Sequence, residues 1–187
     1  MLPNFYNSLS TEEKRVFDLY KGNTDCSAYN INRTLRQKDV ATYREEIKIL
    51  DDLILKNKID KPIRLYRATS NNYVAPFIKG SIYTNPEFLS TTEHTGPLGT
   101  FFRAIDPGQL PAYVIFDCEP KMCMAPMESN ETFGGMEREL LFGRNNKFEV
   151  TDHRVSLDRR EIEDKMSRLY AQGVESLHIY VMKYKGN

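Results

Sequence analysis

The feature that most constrains the fold is a change in the spacing of apolar residues at Pro62. Before Pro62, apolar side chains recur every three or four residues, which is the spacing of one face of a helix. After it, short segments alternate apolar and polar residues and are separated by turn residues, as β-strands are. Helices followed by strands indicate an α+β fold with antiparallel sheets.

Two helices are predicted before Pro62 and a third near the end of the chain. The first covers residues 10–21 and begins with a capping box of Ser10 and Glu13. The second covers residues 38–56, and its apolar stripe consists of Val40, Tyr43, Ile47, Leu50 and Ile54. The third, at residues 157–172, is an insertion between two late strands. Its stripe would pack on the domain or dock a target protein, and it consists of Ile162, Met166, Leu169 and Tyr170.

The remainder of the chain is predicted to be mainly β. Strands are expected at residues 63–67, 82–84, 87–92, 112–118, 139–142, 148–155 and 177–184. We expect one domain over residues 1–187, with a helical part at 1–60 and a β core at 61–187. The sequence has no Gly-rich phosphate loop, so Rossmann and P-loop nucleotide binding are not supported.

Composition argues against several classes of function. The 26 basic and 26 acidic residues balance, which argues against broad electrostatic binding of nucleic acid. The three cysteines form neither a paired framework nor a zinc spacing, so free thiols in a reducing compartment are expected. We find no signal peptide and no apolar stretch of membrane-spanning length, and therefore expect a soluble protein of the cytoplasm.

A pair of carboxylates, Glu137 and Glu139, stands at the start of a predicted strand. Residues i and i+2 of a strand face the same side at a separation of roughly 7 Å, so both side chains would enter one cleft. The same spacing occurs at Glu161 and Glu163, but there it falls in a predicted helix, where the two side chains diverge. A solvent-facing pair at the beginning of a strand is the alternative interpretation of Glu137 and Glu139.

Two other strands end in residues that can bind a ligand. Arg67 closes an apolar strand and can place its forked guanidinium on a phosphate, or else pair with a carboxylate or with solvent. Arg64 lies on the opposite face of the same strand, so Arg67 is the better candidate for this ligand. Ser90, Thr91 and Thr92 supply small hydroxyls at the end of another strand, where they can bond a ligand or the backbone.

The segment at residues 94–107 is rich in turn residues and carries Phe101, Phe102 and Arg103. Either phenylalanine ring could stack on a ring of a ligand or pack in the core, and Arg103 could reach a second phosphate. The histidines, His94, His153 and His178, are isolated in sequence and form no catalytic triad or metal site.

The three motifs together resemble those of arginine-specific mono-ADP-ribosyltransferases of the Arg-Ser-Glu class, found in bacteriophages and among bacterial toxins. The matching segments are Tyr66-Arg67, Phe88-Leu89-Ser90-Thr91-Thr92 and Glu137-Arg138-Glu139. The resemblance runs from about residue 63 to residue 150.

This resemblance implies N-terminal helices packed on two roughly perpendicular antiparallel β-sheets, with NAD in the cleft between them. It implies catalytic roles for Arg67, Ser90, Glu137 and Glu139, in which Glu139 opposes the ribosyl cation and Glu137 selects an arginine acceptor. The implied NAD-binding residues are Arg67, Ala68, Ser90, Thr91, Phe101, Phe102, Arg103 and Glu139. Residues 129–136 would form a target-recognition turn. Ala68 stands where the family often has glycine, and the 157–172 helix is not a general family feature.

The implied partners are NAD as co-substrate and host proteins that carry a reactive arginine. No metal and no membrane is implied, and we expect a monomer in the cytoplasm of an infected host cell. The alternatives are an NAD glycohydrolase, a transferase with a different acceptor, and a non-catalytic module that binds NAD or protein.

Overall fold

The structure of the protein is a computed structural model that describes residues 5–22, 24–74, 77–96, 98–102, 109–127 and 138–186. Its helices are α1 (Thr11–Lys21), α2 (Ala28–Arg36), α3 (Arg44–Leu55), α4 (Asn71–Val74), α5 (Leu98–Phe101) and α6 (Arg159–Tyr170). Its strands are β1 (Ile63–Ser70), β2 (Ile82–Thr84), β3 (Leu89–Thr92), β4 (Pro111–Cys118), β5 (Met124–Pro126), β6 (Glu139–Phe142), β7 (Lys147–Ser156) and β8 (Leu177–Gly186). None of these described helices is both long enough and apolar enough to cross a bilayer.

The strands are hydrogen-bonded in the order β2-β7-β8-β4-β1-β3-β6-β5. Neighbouring strands are antiparallel except for β4 and β8, which run parallel. The order has two parts, five strands from β2 to β1 and three strands from β3 to β5. A single residue pair, Tyr66 with Thr92, joins the two parts. The predicted α+β class is confirmed, with one parallel pair added to the antiparallel ones.

Three apolar clusters hold the layers together. The first lies between the two parts of the sheet, where Phe116 of the five-strand part meets Phe142 of the three-strand part edge-on, with ring centroids 5.3 Å apart. The second packs α1, α2 and α3 on the other face of the three-strand part. The third packs α5 and α6 on the other face of the five-strand part. The inner strands β4 and β6 are therefore covered on both faces, which explains why nearly all of their residues are buried.

The first predicted helix is confirmed, and the second begins later than predicted. In α1 the Glu13 backbone N–H donates to the Ser10 hydroxyl and the Ser10 N–H donates to the Glu13 carboxylate, as expected for a capping box. The helix predicted at residues 38–56 forms only as α3. The Asp39 carboxylate instead accepts from the N–H groups of Ala41 and Thr42, which gives this segment a turn and leaves Val40 half-exposed.

Helix α2 was missed because its sequence is mostly polar and buries only Ile31 and Leu35. The helix predicted at residues 157–172 is confirmed as α6, with Ile162 and Met166 buried. Leu169, expected on the same face, is exposed because the backbone of Ser167 leaves the helical region at φ 64° and ψ 154°. Strand β5 and the four-residue helices α4 and α5 were also missed, because segments so short carry no periodic signal.

Two of the three histidines, which are far apart in sequence, are paired in the structure. His153 and His178 lie on β7 and β8, with the Nε2 atom of His153 3.2 Å from the Nδ1 atom of His178. The ring of Tyr180 stacks on His153 with the centroids 4.2 Å apart. Burial, and then the neighbouring His153, lower the pKa of His178 below its usual value.

We predict that His178 makes the protein less stable in weak acid. Because the folded pKa of His178 lies below its unfolded value of about 6.5, the unfolded chain binds the proton more readily there. The contribution of His178 to the free energy of unfolding is present above the unfolded value and is lost as the pH falls through the folded pKa. In urea titrations at about pH 7 and about pH 5, the His178→Asn variant should lose less unfolding free energy than wild type. An identical loss would contradict the prediction, and His94→Asn, at an exposed position, is the matched control.

We further predict that Gly99 is required for α5 to lie against α6. A Cβ atom on Gly99 would stand 2.7 Å from the Met166 carbonyl oxygen and 3.1 Å from the Ser167 hydroxyl. Gly99→Ala should therefore lower the unfolding free energy by about 1–3 kcal/mol, measured by urea titration. In the control Gly96→Ala, where nothing lies within 4 Å of the added atom, the change should stay within about 0.5 kcal/mol. Equal stabilities of the two variants would show that α5 and α6 separate without cost.

Candidate active site

The candidate site is the opening between β1 and β3. Their ladder consists of one pair, Tyr66 with Thr92, and the same antiparallel register would place Arg67 opposite Thr91 and then Ala68 opposite Ser90. Neither of these pairs forms, and a cavity of about 270 Å³ lies there instead. Among the residues that line it are Arg67, Ala68, Ser90, Thr91, Phe101 and Glu139. The fold thus brings together six of the residues predicted from sequence.

Arg67 spans the opening. Its Nη1 atom donates a hydrogen bond of 2.7 Å to the backbone carbonyl of Ser90, so a side chain replaces the missing ladder bond. Arg67, Thr69 and Ser90 also line a second cavity of about 270 Å³. Tyr29, Asn32, Arg36, Tyr73 and Glu87 are among the other residues that line this second cavity. The two cavities therefore adjoin at Arg67, with a guanidinium where they meet.

Glu139 is fixed at the start of β6 by its backbone and by a cation. The backbone of Glu139 pairs with Thr92 of β3, and the Glu139 carbonyl accepts a 2.9 Å hydrogen bond from the N–H of Met127. Its carboxylate forms an ion pair with the ammonium group of Lys21, the last residue of α1. The two side chains are only 10% (Lys21) and 11% (Glu139) exposed. Lys21 was missed from sequence because it lies 118 residues from Glu139 in a segment with no motif.

The N-terminal helices hold the strand that carries Ser90. The Asn32 amide of α2 donates to the carbonyl of Phe88 and accepts from its N–H, both at 3.1 Å. The same Asn32 amide donates to the hydroxyl of Tyr20 in α1. Burial, together with the charge of Glu139, raises the pKa of Tyr20, so this hydroxyl remains neutral. Helices that looked unspecific in sequence therefore fix β3 at its entry.

The three hydroxyls of β3 have different surroundings. Thr91 donates to the carbonyl of Leu140 at 2.7 Å, and the hydroxyl of Thr92 accepts from the N–H of His94 at 3.0 Å. Both therefore hold the backbone of the site. Ser90 is partly exposed and lines both cavities. Within the described residues its hydroxyl makes no hydrogen bond to Glu139, whose carboxylate is bound by Lys21 instead.

The remaining predicted site residues are divided among the rim, the core and segments that the structure leaves undescribed. Phe101 is 40% exposed and lines the first cavity, where a ring could stack on a ligand. Phe102 is 6% exposed and packs in the cluster under α5 and α6, which corrects its predicted role in ligand binding. Arg103, Glu137 and residues 129–136 lie outside the described residues.

The arrangement suits a ligand that carries phosphate groups and forms a cation at another position during a reaction. A guanidinium can bind phosphate through paired hydrogen bonds, and a carboxylate held at fixed position can stabilise a cation that forms beside it. In the part of the chain that the structure describes, no group of three or more His, Cys, Asp or Glu side chains is placed to hold a metal ion.

One protein family and several solved structures are similar to this chain. The model of the ADP-ribosyltransferase exoenzyme family matches residues 2–176 of the chain. A search of the curated proteins finds no match.

Several solved structures share the fold. Plx2a, an ADP-ribosyltransferase toxin from Paenibacillus larvae, has 16% sequence identity and a TM-score of 0.72, over 97% of this chain and 90% of that chain. BECa, an ADP-ribosylating toxin of C. perfringens solved with NADH, has 16% identity and a TM-score of 0.73, over 97% of this chain and 45% of that chain. C3stau2 from S. aureus, solved with NAD, has 16% identity and a TM-score of 0.69, over 96% of this chain and 89% of that chain. These likenesses confirm the predicted fold.

Proposed function

The chain belongs to the ADP-ribosyltransferase exoenzyme family, and we propose that it transfers ADP-ribose from NAD to arginine side chains of host proteins. The observation that carries the proposal is the cavity between β1 and β3, which brings Arg67, Ser90 and Glu139 together. The finer parts of the proposal, the arginine acceptor and the host targets, rest on the sequence motifs. The proposal includes action as a monomer in the cytoplasm of the host, where a phage enzyme would meet its targets.

The shape and charge of the site support NAD as the substrate. NAD consists of two nucleotide halves joined by a pyrophosphate, and the two cavities of about 270 Å³ adjoin at Arg67. Together they fall within the range of roughly 300–1,000 Å³ that ligand pockets occupy. The guanidinium of Arg67 would bind the pyrophosphate, with the nicotinamide half beside Ser90 and Glu139. BECa was solved with NADH and C3stau2 with NAD, which favours the same kind of ligand here.

Cleavage of NAD requires little help at the leaving group. The bond between the ribose anomeric carbon and the nicotinamide nitrogen breaks, and its electron pair neutralises the already cationic nicotinamide. The ribose is left as an oxocarbenium cation. A fixed carboxylate beside it opposes that charge, which is worth about 3–4 kcal/mol for one such contact. Glu139 is the residue assigned to this step, because the β3–β6 pairing anchors its backbone and Lys21 binds its side chain.

Transfer to arginine needs a second carboxylate. A guanidinium is protonated at all ordinary pH values, so its nitrogen must lose a proton as it bonds to the anomeric carbon. Glu137 is assigned to orient the guanidinium and to accept that proton. This assignment rests on the Glu137-Arg138-Glu139 sequence alone, since Glu137 lies outside the described residues.

We predict that Glu139→Gln removes most cleavage of NAD while leaving the protein folded. The glutamine keeps the size of the side chain and can still accept a hydrogen bond from Lys21, but it carries no charge. The turnover number for NAD consumption should fall about 10²–10³-fold. Nicotinamide release, followed by chromatography, measures this loss. The control is Glu149→Gln, which breaks the surface ion pair with Lys185 and should keep full activity. If Glu139→Gln retains wild-type turnover, the assigned role of Glu139 is wrong.

We predict that Glu137→Gln separates transfer from cleavage. Without the second carboxylate the acceptor nitrogen keeps its proton, while the cation can still react with water. Host lysate is incubated with NAD that carries a label in its adenylate part. The wild-type enzyme should place this label on arginine residues of lysate proteins, and Glu137→Gln should not. The variant should release free ADP-ribose at a rate within about threefold of wild-type NAD consumption. Label on residues other than arginine, or free ADP-ribose alone with wild-type enzyme, would contradict the proposed acceptor.

A further inference from the structure

Lys21 is the charged group in contact with Glu139 that the reaction described above leaves without a role. Its ammonium group forms an ion pair with the Glu139 carboxylate across 118 residues of sequence. Both side chains are nine-tenths or nearly nine-tenths buried. An ion pair in such a place has a cost, because two charges leave water. Attraction of the kind found between charges on a protein surface therefore does not explain why this buried pair is present.

We infer that Lys21 is a positioning residue of the proposed reaction, which holds the Glu139 carboxylate ionised and oriented until the substrate binds. This inference rests on the proposed function for its catalytic part only. The ion pair itself is a feature of the protein without substrate.

The chemical argument starts from burial. A buried carboxylate without a nearby cation tends to take up a proton, and protonated Glu139 could not oppose an oxocarbenium cation. An ammonium group in contact with it favours the anion. Lys21 is well placed for this, because it ends α1 and the negative end of the helix dipole stabilises a cation in the last turn.

Other charged and titratable groups near Glu139 do not substitute for Lys21. From β1, the guanidinium of Arg67 donates to the Ser90 carbonyl, and Tyr66 lines the same cavity. From α1, Tyr20 is buried, and the charge of Glu139 contributes to raising its pKa. The cavity-lining residues of β3 are Ser90, Thr91 and Thr92, which carry no charge. Among the described residues, Lys21 is the cation within ion-pair distance of Glu139.

The flexible stem of lysine also suits a contact that must yield. The oxocarbenium cation needs the same carboxylate that Lys21 binds in the free protein. A lysine ammonium is a point charge on a four-carbon chain, so it can shift when another cation forms, whereas a two-pronged arginine fork would resist. Lys21 would then set the charge of Glu139 beforehand without blocking the substrate.

The test titrates Glu139 directly in the protein without NAD. The carboxyl carbon of Glu139, labelled with ¹³C and assigned with Glu139→Gln, is followed by NMR in wild type, Lys21→Met and Lys21→Arg. In Lys21→Met the pH-dependent change of this carbon signal should occur at least about one pH unit above that of wild type, a tenfold gain in proton affinity. Lys21→Arg, which keeps the charge, should stay close to wild type. Lys56→Met is the matched control, because it removes a lysine–glutamate pair with Glu13 of the same helix α1.

Turnover supplies the second measurement. At neutral pH, Lys21→Met should lower the kcat for NAD consumption about tenfold or more, with KM changed less than about threefold. The acid side of its kcat–pH profile should move to higher pH, and activity should return as the pH is raised. A destabilised site would not recover in this way. Lys21→Gln, which keeps a hydrogen-bond donor without the charge, replaces Lys21→Met if urea unfolding shows that the latter does not fold.

Two results would overturn the inference. The first is an unchanged titration of Glu139 in Lys21→Met and Lys21→Gln. The second is a higher kcat than wild type in either variant, which would make Lys21 an inhibitor of the site. Absence of NAD consumption by the wild type would count against the proposed function instead, and the NMR titration would still decide the role of Lys21.

Discussion

The opening between β1 and β3 is the constraint on which the rest of the site depends. Adjacent strands normally continue their ladder, because unpaired N–H and C=O groups inside a protein cost free energy. Here the ladder stops after Tyr66 and Thr92, and the guanidinium of Arg67 bonds the Ser90 carbonyl across the opening. A residue expected to bind a ligand phosphate thus also supplies a bond that the backbone lacks. Structure and binding therefore compete for the same side chain.

The N-terminal helices stabilise the site from outside the sheet. Asn32 holds both backbone groups of Phe88, two residues before Ser90, and Lys21 binds the carboxylate of Glu139. Arg36 adds an ion pair with Glu87 at 3.4 Å. Asn32 and Arg36 therefore hold the residues that lead into β3, and Lys21 holds the first residue of β6, the strand that pairs with β3. The edge of β3 that lacks a full ladder to β1 is therefore supported by contacts with the N-terminal helices at its entry and through β6.

The sequence allowed the strands and the motif residues to be predicted, but not the contacts between distant segments. Short segments of apolar and β-branched residues between turn residues located β2 and β6 at the residues observed. Lys21 and Asn32 could not be found in this way, because their partners lie 118 and 56 residues further along the chain and neither belongs to a motif. The role of Phe102 could not be separated from that of Phe101 in the sequence, because the two residues are adjacent. In the structure Phe101 lies at the cavity and Phe102 packs in the core.

Sixteen per cent identity to Plx2a is compatible with a TM-score of 0.72 because few positions are fixed by chemistry. The apolar clusters require only volume and burial, which many combinations of residues satisfy. The opening requires more: a side chain that can bond the Ser90 carbonyl, a small hydroxyl beside it, and a carboxylate whose backbone is fixed by a ladder. Glu139 meets the last condition through its pairing with Thr92, the residue that also pairs with Tyr66 of the five-strand part. The carboxylate that we propose acts on NAD is therefore tied to the sheet itself, whereas its ion-pair partner Lys21 belongs to a helix.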